Sequence, residues 1–273
     1  MFGKFKDYSP KDMKKLFFRK LKKPFYTGSS FQCPVCNTNL KKFNPIWKSF
    51  SRTLNDAGFI YKTDDFETFN QYQYSCPSCD ASDRERLYAL YIQKWLSGLD
   101  KNKVTTFIDF APAMAISAWL RSIPHINYTS ADLYRPNVDI KVDITNMPEL
   151  KSGSIDAFLC SHILEHVVDD MAALKELKRI LKPSGGGWGI VMVPLIKGVS
   201  KTQEDPAFNT EQLRIKYYSQ GDHLRQYGTE DFLIRIKEAG FTVDSLDINW
   251  FGEAAFKKAG ISPNSKLYIV KNI

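Results

Sequence analysis

Apolar and polar positions along residues 103–271 follow two alternating patterns, one typical of buried strands and one typical of helices. The apolar runs VTTFI and IDAFLC predict strands buried on both faces, whereas MAALKELKRIL repeats its apolar residues at helical spacing. The elements predicted in chain order are strand 104–109, helix 113–122, strand 126–131, strand 138–142, strand 155–160, helix 169–181, strand 188–193, helix 230–239, strand 241–248 and strand 266–271.

This alternation predicts an α/β fold with a doubly wound, mostly parallel seven-stranded sheet. Such sheets bind ligands beyond the carboxyl ends of their strands, where this chain carries Asp109, Asp132 and Asp143. An acid at the end of the second strand can accept both hydroxyls of a ribose. Asp143 can accept an adenine amino group while its neighbour Ile144 covers the ring. The strand ends therefore predict a nucleoside site.

A separate region, residues 31–81, carries four of the five cysteines as two C-x2-C pairs, 39 residues apart. They are Cys33, Cys36, Cys76 and Cys79. No secretion signal precedes them, so the pattern favours a metal over disulfides, redox pairs or free thiols. Four thiolates predict a closed, structural zinc site with no position open to a substrate. Asn37 and Asp80 follow the two pairs, where a positive φ is often needed, and both residue types tolerate it.

The residues between the cysteine pairs are rich in aromatic side chains and predict a small satellite core around the metal. They include Phe43, Trp47, Phe50, Phe59, Tyr61, Phe66 and Phe69. The sequence SDRE then predicts a capping box between Ser82 and Glu85, which opens a helix that ends at Gly98. Residues 31–81 are therefore a zinc-knuckle module, called the zinc module below, and residues 82–102 a connecting helix.

The net charge of +8 is concentrated at one end of the chain. Residues 1–48 contain twelve Lys and Arg against two acids, a charge of +10, which leaves −2 for the remainder. Residues 1–30 form a basic arm with Met13, Leu16, Phe17 and Leu21 on one helical stripe. Residues 10–25 can contact an anionic membrane surface, and docking of the stripe onto the zinc module is an equal alternative.

Localisation follows from the same composition. The chain has no apolar stretch long enough to span a membrane and no apolar signal core behind its basic start. We expect a cytoplasmic protein, peripheral to the inner face of the membrane if the arm binds lipid. A basic tail that only improves solubility is the alternative.

Several stretches of the chain resemble the class I S-adenosylmethionine-dependent methyltransferases, over roughly residues 103–271. They are DFAPAMA, ADL, VDIT, SIDAFLCSHILEHVVDD, ELKRILKPSGG and GIVMVPL. Together with CPVC…CPSCD and GDHLRQYG (221–228), the layout resembles a zinc-knuckle methyltransferase family linked to bacterial surface-glycan pathways. The resemblance implies S-adenosylmethionine as cofactor and a saccharide or other small hydroxyl as methyl acceptor. It places a methyltransferase domain at 103–273, with an insert at 195–229 that covers the substrate.

The first motif of that superfamily has glycines at alternate positions after an acid, and here alanines replace them. Alanine still lets a ligand approach closely, but it costs about 1 kcal/mol in a left-handed conformation. We therefore expect a loop without left-handed residues, helped by Pro112. The predicted cofactor-binding residues are Asp109, Ala111, Ala113, Asp132, Leu133, Asp143, Ile144 and Ser161. A loop too altered to bind the cofactor would make this a non-catalytic binding protein.

The candidate catalytic residues lie in SHILEH and GDHLRQYG. They are His162, Glu165, His166, Asp222 and His223. One interpretation makes His162 or His223 a general base, oriented by Asp222 or Glu165. A second has the three histidines and Glu165 bind a divalent metal, a set that resembles the metal-dependent small-RNA 2′-O-methyltransferases, with His162 where they carry a glutamate. In a third, Glu165 and His166 only close a turn.

An RNA methyltransferase that grips RNA through the zinc module and the basic arm is a further alternative. The near-neutral charge of the methyltransferase region disfavours nucleic acid, because RNA binding needs several charges that neutralise phosphates. The oligomeric state is left open by the sequence.

Overall fold

The computed structural model describes residues 23–273. Its first part contains two short strands and three helices before the main sheet begins. These are α1 (Lys23–Tyr26), β1 (Thr27–Gln32), β2 (Asn39–Leu40), α2 (Lys48–Asp56) and α3 (Asp83–Ser97). The apolar stripe of the basic arm lies outside the described residues, so its contact with a membrane stays a prediction. Within residues 23–273, no helix has the length and apolar character needed to cross a membrane.

The second part of the chain alternates strands and helices, as the sequence predicts. Its elements are β3 (Thr105–Phe110), α4 (Met114–Leu120), β4 (Ile126–Asp132), β5 (Ile140–Lys141), β6 (Ala157–Ser161), α5 (Asp170–Ile180), β7 (Trp188–Met192), α6 (Glu211–Tyr218), α7 (Thr229–Glu238), β8 (Thr242–Leu246), α8 (Ile248–Phe251), α9 (Glu253–Ala259) and β9 (Leu267–Lys271). Every predicted strand and helix of this part is present. The sequence pattern did not predict α6, α8 or α9.

The seven strands β3 to β9 form one sheet in the order β5-β4-β3-β6-β7-β9-β8. All neighbouring strands run parallel except β9, which is antiparallel to both β7 and β8. This is a doubly wound, mostly parallel seven-stranded sheet of the Rossmann-like type, so the predicted fold class is confirmed. The order reverses between β3 and β6, and ligands bind at such a switch point.

Burial explains why these runs form the centre of the sheet. Every residue of β7 is buried, and β3, β6 and β9 each expose only one residue in part. The helix α5 turns Ala173, Leu174, Leu177 and Ile180 inward at helical spacing. Burial of each large apolar side chain contributes about 2 kcal/mol, so these strands hold their carboxyl ends in fixed positions.

The zinc module is fixed to the sheet domain through Arg86, a fully buried residue of α3. Its guanidinium donates hydrogen bonds to backbone carbonyls on both sides: Gln73, Tyr74 and Ala81 of the module side, and Ala259 and Gly260 at the end of α9. The predicted capping box that starts α3 is confirmed, since Ser82 and Glu85 exchange side-chain to backbone hydrogen bonds of 3.3 and 2.7 Å. Gly98 caps the other end of α3.

Candidate functional site

The DFAPAMA loop after β3 contains a left-handed residue. Ala111 has a φ of 51°, so the expectation of a loop without left-handed residues is wrong. The Ala111 N–H donates to the carbonyl of Ala131 at the end of β4, a bond that fixes the turn. The loop therefore keeps the shape that glycine would favour, at a cost of about 1 kcal/mol. Ala113, by contrast, is extended and precedes α4.

A cavity lies beyond this loop, at the carboxyl ends of β3 and β6. Four of the predicted cofactor-binding residues line it: Asp109, Ala111, Ala113 and Ser161. The buried Asp109 carboxylate accepts a hydrogen bond of 2.7 Å from the Tyr128 hydroxyl, which holds it in place. The rest of the cavity lining comes mainly from α3 and from the zinc module. These residues are Trp47, Tyr74, Asp80, Ser82, Arg84, Glu85 and Tyr88. We call this space the loop cavity.

The other four predicted cofactor-binding residues lie at the neighbouring strand ends, outside the lining of the loop cavity. Asp132 Oδ1 accepts hydrogen bonds from the backbone N–H groups of Tyr134 (2.7 Å) and Arg135 (2.9 Å). Its other oxygen, Oδ2, lies 3.8 Å from Arg135 Nε. This arrangement orients the carboxylate and leaves Oδ2 as the acceptor for a ligand hydroxyl.

The remaining three differ in exposure. Leu133 is 42% exposed, whereas Ile144 is buried and offers little surface to cover a ring. The exposed Asp143 accepts hydrogen bonds from the backbone and the hydroxyl of Thr145. A nucleoside would therefore lie on an open surface beside Asp132 rather than in an enclosed pocket.

Two residues of α3, Arg84 and Tyr88, line the loop cavity and were missed by the sequence reasoning. The Tyr88 hydroxyl lies 2.7 Å from Ser161 Oγ, and Arg84 Nη1 lies 3.4 Å from His162 Nε2. Their four-residue spacing places both on one face of α3, directly after the second cysteine pair. That spacing is the signal that the sequence offers for these two residues.

A second cavity, called the aromatic cleft, lies beside the loop cavity, and Trp47, Tyr74 and Arg84 line both. Most of its apolar wall comes from the zinc module. The lining comprises Ile46, Trp47, Phe50, Phe66, Glu67, Thr68, Phe69, Tyr74, Arg84, His162, Val193, Pro194, Leu195, Ser219 and Gln220. Several aromatic residues expected to form a satellite core therefore pack on one another and also line this cleft, while Phe43 is buried.

The aromatic side chains of the cleft form a continuous row. The ring centroids of Trp47, Tyr74, Phe69 and Phe66 follow one another at 5.6 to 6.0 Å, within the range of favourable aromatic pairs. The backbone N–H of Glu67 donates to the carbonyl of Leu195, which ties the row to the segment after β7. The cleft wall is therefore held from both the module and the sheet domain.

His162 lies on the cleft wall next to the loop cavity, just after β6. Its φ of 56° is left-handed, a conformation that a histidine adopts rarely. Nε2 lies near Arg84, and Nδ1 lies 3.4 Å from Glu165 Oε1. Burial and the positive charge of Arg84 lower the pKa of His162 to about 4, so the imidazole is neutral at pH 7. A neutral imidazole at this position can accept a proton.

The other candidate catalytic residues cluster behind His162. Glu165 and His223 are fully buried, and His223 does not line the aromatic cleft. His223 Nδ1 lies 2.7 Å from the Tyr218 carbonyl, whereas Asp222 Oδ2 lies 3.3 Å from His166 Nδ1. Asp222 therefore pairs with His166, whereas the sequence offered it, like Glu165, as a partner for His162 or His223. Of the five candidate catalytic residues, His162 alone lines the aromatic cleft.

The four cysteines of the zinc module converge as predicted. The Sγ atoms of Cys33 and Cys79 are 3.7 Å apart, and those of Cys36 and Cys76 are 3.9 Å apart. A zinc ion with four sulfur ligands at about 2.3 Å needs sulfur separations of about 3.8 Å. Asn37 and Asp80 have φ of 56° and 73°, as expected for the residues after the two pairs. The donor set and its spacing fit Zn²⁺.

Residues 91–187 match a family model described as a methyltransferase domain. No curated protein sequence matches the chain. Among solved structures, a SAM-dependent methyltransferase from Archaeoglobus fulgidus is 14% identical with a TM-score of 0.42, over 70% of this chain and 93% of that one. The [4+2]-cyclase SpnF is 15% identical with a TM-score of 0.42, over 84% and 96%. The CMeT domain of citrinin polyketide synthase is 13% identical with a TM-score of 0.45, over 72% and 54%.

Proposed function

We propose that the chain is an S-adenosylmethionine-dependent methyltransferase that methylates a hydroxyl group of a saccharide or of another small hydroxylated ring, since residues 91–187 match the model of a methyltransferase domain. The observation that carries this proposal is the junction of the two cavities. The loop cavity and the aromatic cleft share Arg84 as a lining residue, and the neutral His162 lies on the cleft side, next to Arg84. A methyl donor on one side and a hydroxyl on the other would meet there.

The loop cavity and the neighbouring strand ends fit S-adenosylmethionine. The Asp132 carboxylate is oriented to accept hydroxyls of its ribose, and the small side chains of Ala111 and Ala113 admit its methionine part. The Arg84 guanidinium would bind the methionine carboxylate, since a paired charge is needed for an anion in such a recess. Bound there, the cofactor supplies a methyl group on a positively charged sulfur that leaves as a neutral thioether.

His162 is the residue we assign as general base. Its Nε2 would take the proton of the acceptor hydroxyl as the oxygen bonds to the methyl carbon. In the structure Arg84 faces this nitrogen, so the base becomes available when Arg84 turns to a bound carboxylate. Glu165 lies 3.4 Å from Nδ1 and would stabilise the imidazolium that forms. His162 thus accepts the proton, and Glu165 positions the ring.

The acceptor would occupy the aromatic cleft. The apolar faces of Phe66, Phe69 and Trp47 suit the flat, apolar face of a sugar ring, and Thr68 and Gln220 offer polar groups for its hydroxyls. The insert at 195–229 contributes Ser219 and Gln220, in agreement with its proposed role in covering the substrate. A lipid-linked glycan would also suit the proposed contact of residues 10–25 with an anionic membrane.

The zinc module would hold one Zn²⁺ through Cys33, Cys36, Cys76 and Cys79. Four thiolates leave no coordination position for a substrate, so we assign this ion a structural role. Tyr74 lies two residues before Cys76 and lines both cavities. The ion would therefore act on the reaction by keeping the shared wall in place.

Methyl transfer to a panel of methyl glycosides, followed with radiolabelled S-adenosylmethionine, tests the proposed acceptor. We expect Phe69→Ala to raise KM for the accepted sugar about tenfold or more, because the variant removes one stacking face. Phe59→Ala is the matched control, since Phe59 stacks on Phe66 but does not line the cleft. Failure of every glycoside while the protein binds S-adenosylmethionine would exclude the saccharide acceptor.

A further inference from the structure

A carboxylate without hydrogen bonds lies in the interior behind His162. Glu165 is 0% exposed, and neither of its oxygens has a hydrogen-bond partner among residues 23–273. A buried carboxylate without such a partner is unfavourable, because it loses the hydration it would have in water. His162 Nδ1 lies 3.4 Å from Oε1. This position therefore calls for a cation.

His223 offers a second unsatisfied atom close to Glu165. Its Nδ1 lies 2.7 Å from the Tyr218 carbonyl, and a carbonyl only accepts, so Nδ1 carries the proton. The other ring nitrogen, Nε2, therefore presents a lone pair. That nitrogen is buried and has no partner within the described chain. A carboxylate and an imidazole lone pair thus face the interior together, and both are electron donors.

His166 completes the cluster and connects it with solvent. One ligand atom each from Glu165, His166 and His223 lies within 4.8 Å of the others. The rings of His166 and His223 meet edge to face with centroids 4.7 Å apart, and the side chain of His166 is 32% exposed. Asp222 Oδ2 lies 3.3 Å from His166 Nδ1, as an outer carboxylate does when it orients a histidine ligand.

We propose that Glu165, His166 and His223 bind a divalent transition-metal ion, at a site separate from the four cysteines. Two imidazole nitrogens and one carboxylate oxygen form a donor set that suits Zn²⁺, Mn²⁺ or Co²⁺. Ligand atoms around such an ion, at about 2.1 Å from it, lie within about 4 Å of each other, so small rotations close the site. His162, whose Nε2 faces Arg84, is not one of the three ligands.

Three protein ligands leave a coordination position open, which distinguishes this site from the closed cysteine site. The proposal does not depend on methyl transfer or on the identity of the acceptor. An ion here would order the segment from Tyr218 to His223, which includes the cleft residues Ser219 and Gln220.

Metal titration of the full chain tests the site without an activity assay. The protein is prepared with one equivalent of zinc in the cysteines and is then titrated with Co²⁺, followed by calorimetry and by visible absorption. We expect a second equivalent to bind with the absorption of a nitrogen- and oxygen-ligated ion. We expect Glu165→Gln and His166→Ala each to weaken this step about 100-fold, as loss of one ligand should.

His125→Ala is the matched control, because His125 lies before β4 at the opposite end of the sheet. It should leave both equivalents unchanged. Because Glu165 is buried, thermal unfolding checks that Glu165→Gln still folds, and the partly exposed His166 provides the second variant. Saturation at one metal per chain would overturn the proposal. So would a second equivalent that both variants retain.

Discussion

Arg84 Nη1 lies 3.4 Å from Nε2 of His162, the nitrogen that we assign as the proton acceptor. The contact joins the helix that follows the zinc module to the turn after β6. It also places a permanent positive charge beside the imidazole and contributes to its low pKa of about 4. A carboxylate bound at Arg84 would reduce that effect and raise the pKa of His162 toward its usual value. Cofactor binding and base strength are thereby linked.

Replacement of Arg84 should weaken cofactor binding. We expect Arg84→Met to lower the affinity for S-adenosylmethionine about tenfold to a hundredfold, because a hydrogen bond to a charged group contributes about 1.5 to 3 kcal/mol. Calorimetric titration with the cofactor and with its demethylated product measures the change. Arg52→Met, an exposed change on α2, should bind both ligands as the unmodified chain does. Unchanged affinity in Arg84→Met would remove Arg84 from the cofactor site.

Replacement of Asp132 should distinguish its two roles, binding of the ribose and stabilisation of the turn that follows β4. In Asp132→Asn the remaining side-chain oxygen can still accept from the Tyr134 and Arg135 N–H groups, so the turn should persist. We expect affinity for S-adenosylmethionine to fall about tenfold or more, and Asp132→Ala to abolish binding, since the charged acceptor for ribose is lost. Asp143→Asn, at the more exposed strand end, should cost less. Equal losses in the two asparagine variants would contradict this assignment.

Because Ala111 is left-handed, its substitution by glycine should increase the stability of the protein. We expect Ala111→Gly to raise the free energy of unfolding by about 1 kcal/mol, because glycine carries no penalty at a φ of 51°. Ala115→Gly, the same change within α4, should lower it by about 1 kcal/mol. Urea denaturation of both variants checks the opposite signs. A loss of stability in Ala111→Gly would mean that the loop is not left-handed in solution.

Removal of zinc should disturb the cofactor site as well as the module. A strong chelator should release one equivalent of zinc from the cysteines, lower the thermal unfolding midpoint and weaken binding of S-adenosylmethionine. The physical reason is that Trp47 and Tyr74, which lie between the cysteine pairs, line the loop cavity. Thermal unfolding and calorimetry before and after chelation measure both effects. Unchanged cofactor affinity after zinc loss would show that the module is dispensable for this site.

The sheet could be predicted from sequence because its strands are continuous buried runs, such as AFLCS and WGIVM. The antiparallel direction of β9 has no such local signature, since burial on both faces is the same in either direction. The short helices α8 and α9 lack a long periodic pattern. The strand-end residues Asp109 and Ser161 both line the loop cavity, because the carboxyl ends of parallel strands meet at one edge of the sheet.

Other features depend on contacts between distant parts of the chain. The left-handed Ala111 follows from its hydrogen bond to Ala131, twenty residues away, which composition does not show. The sequence shows that the module is rich in aromatic residues, but it does not show that these side chains both pack on one another and line a cleft. The role of Arg84 required the position of His162, 78 residues further along.

The buried guanidinium of Arg86 has a consequence for how this protein can be divided. Its hydrogen bonds reach carbonyls that precede α3 and carbonyls at the end of α9. If either of these two segments unfolded alone, the buried guanidinium would lose part of its hydrogen bonds, which is unfavourable for a charged group. The cysteine-bearing segment and the sheet should therefore unfold as a single cooperative unit. A fragment that begins at residue 103 would lack the hydrogen bonds of Arg86. A chimera that exchanges the cysteine-bearing segment would have to include α3 and the turn after α9 as well.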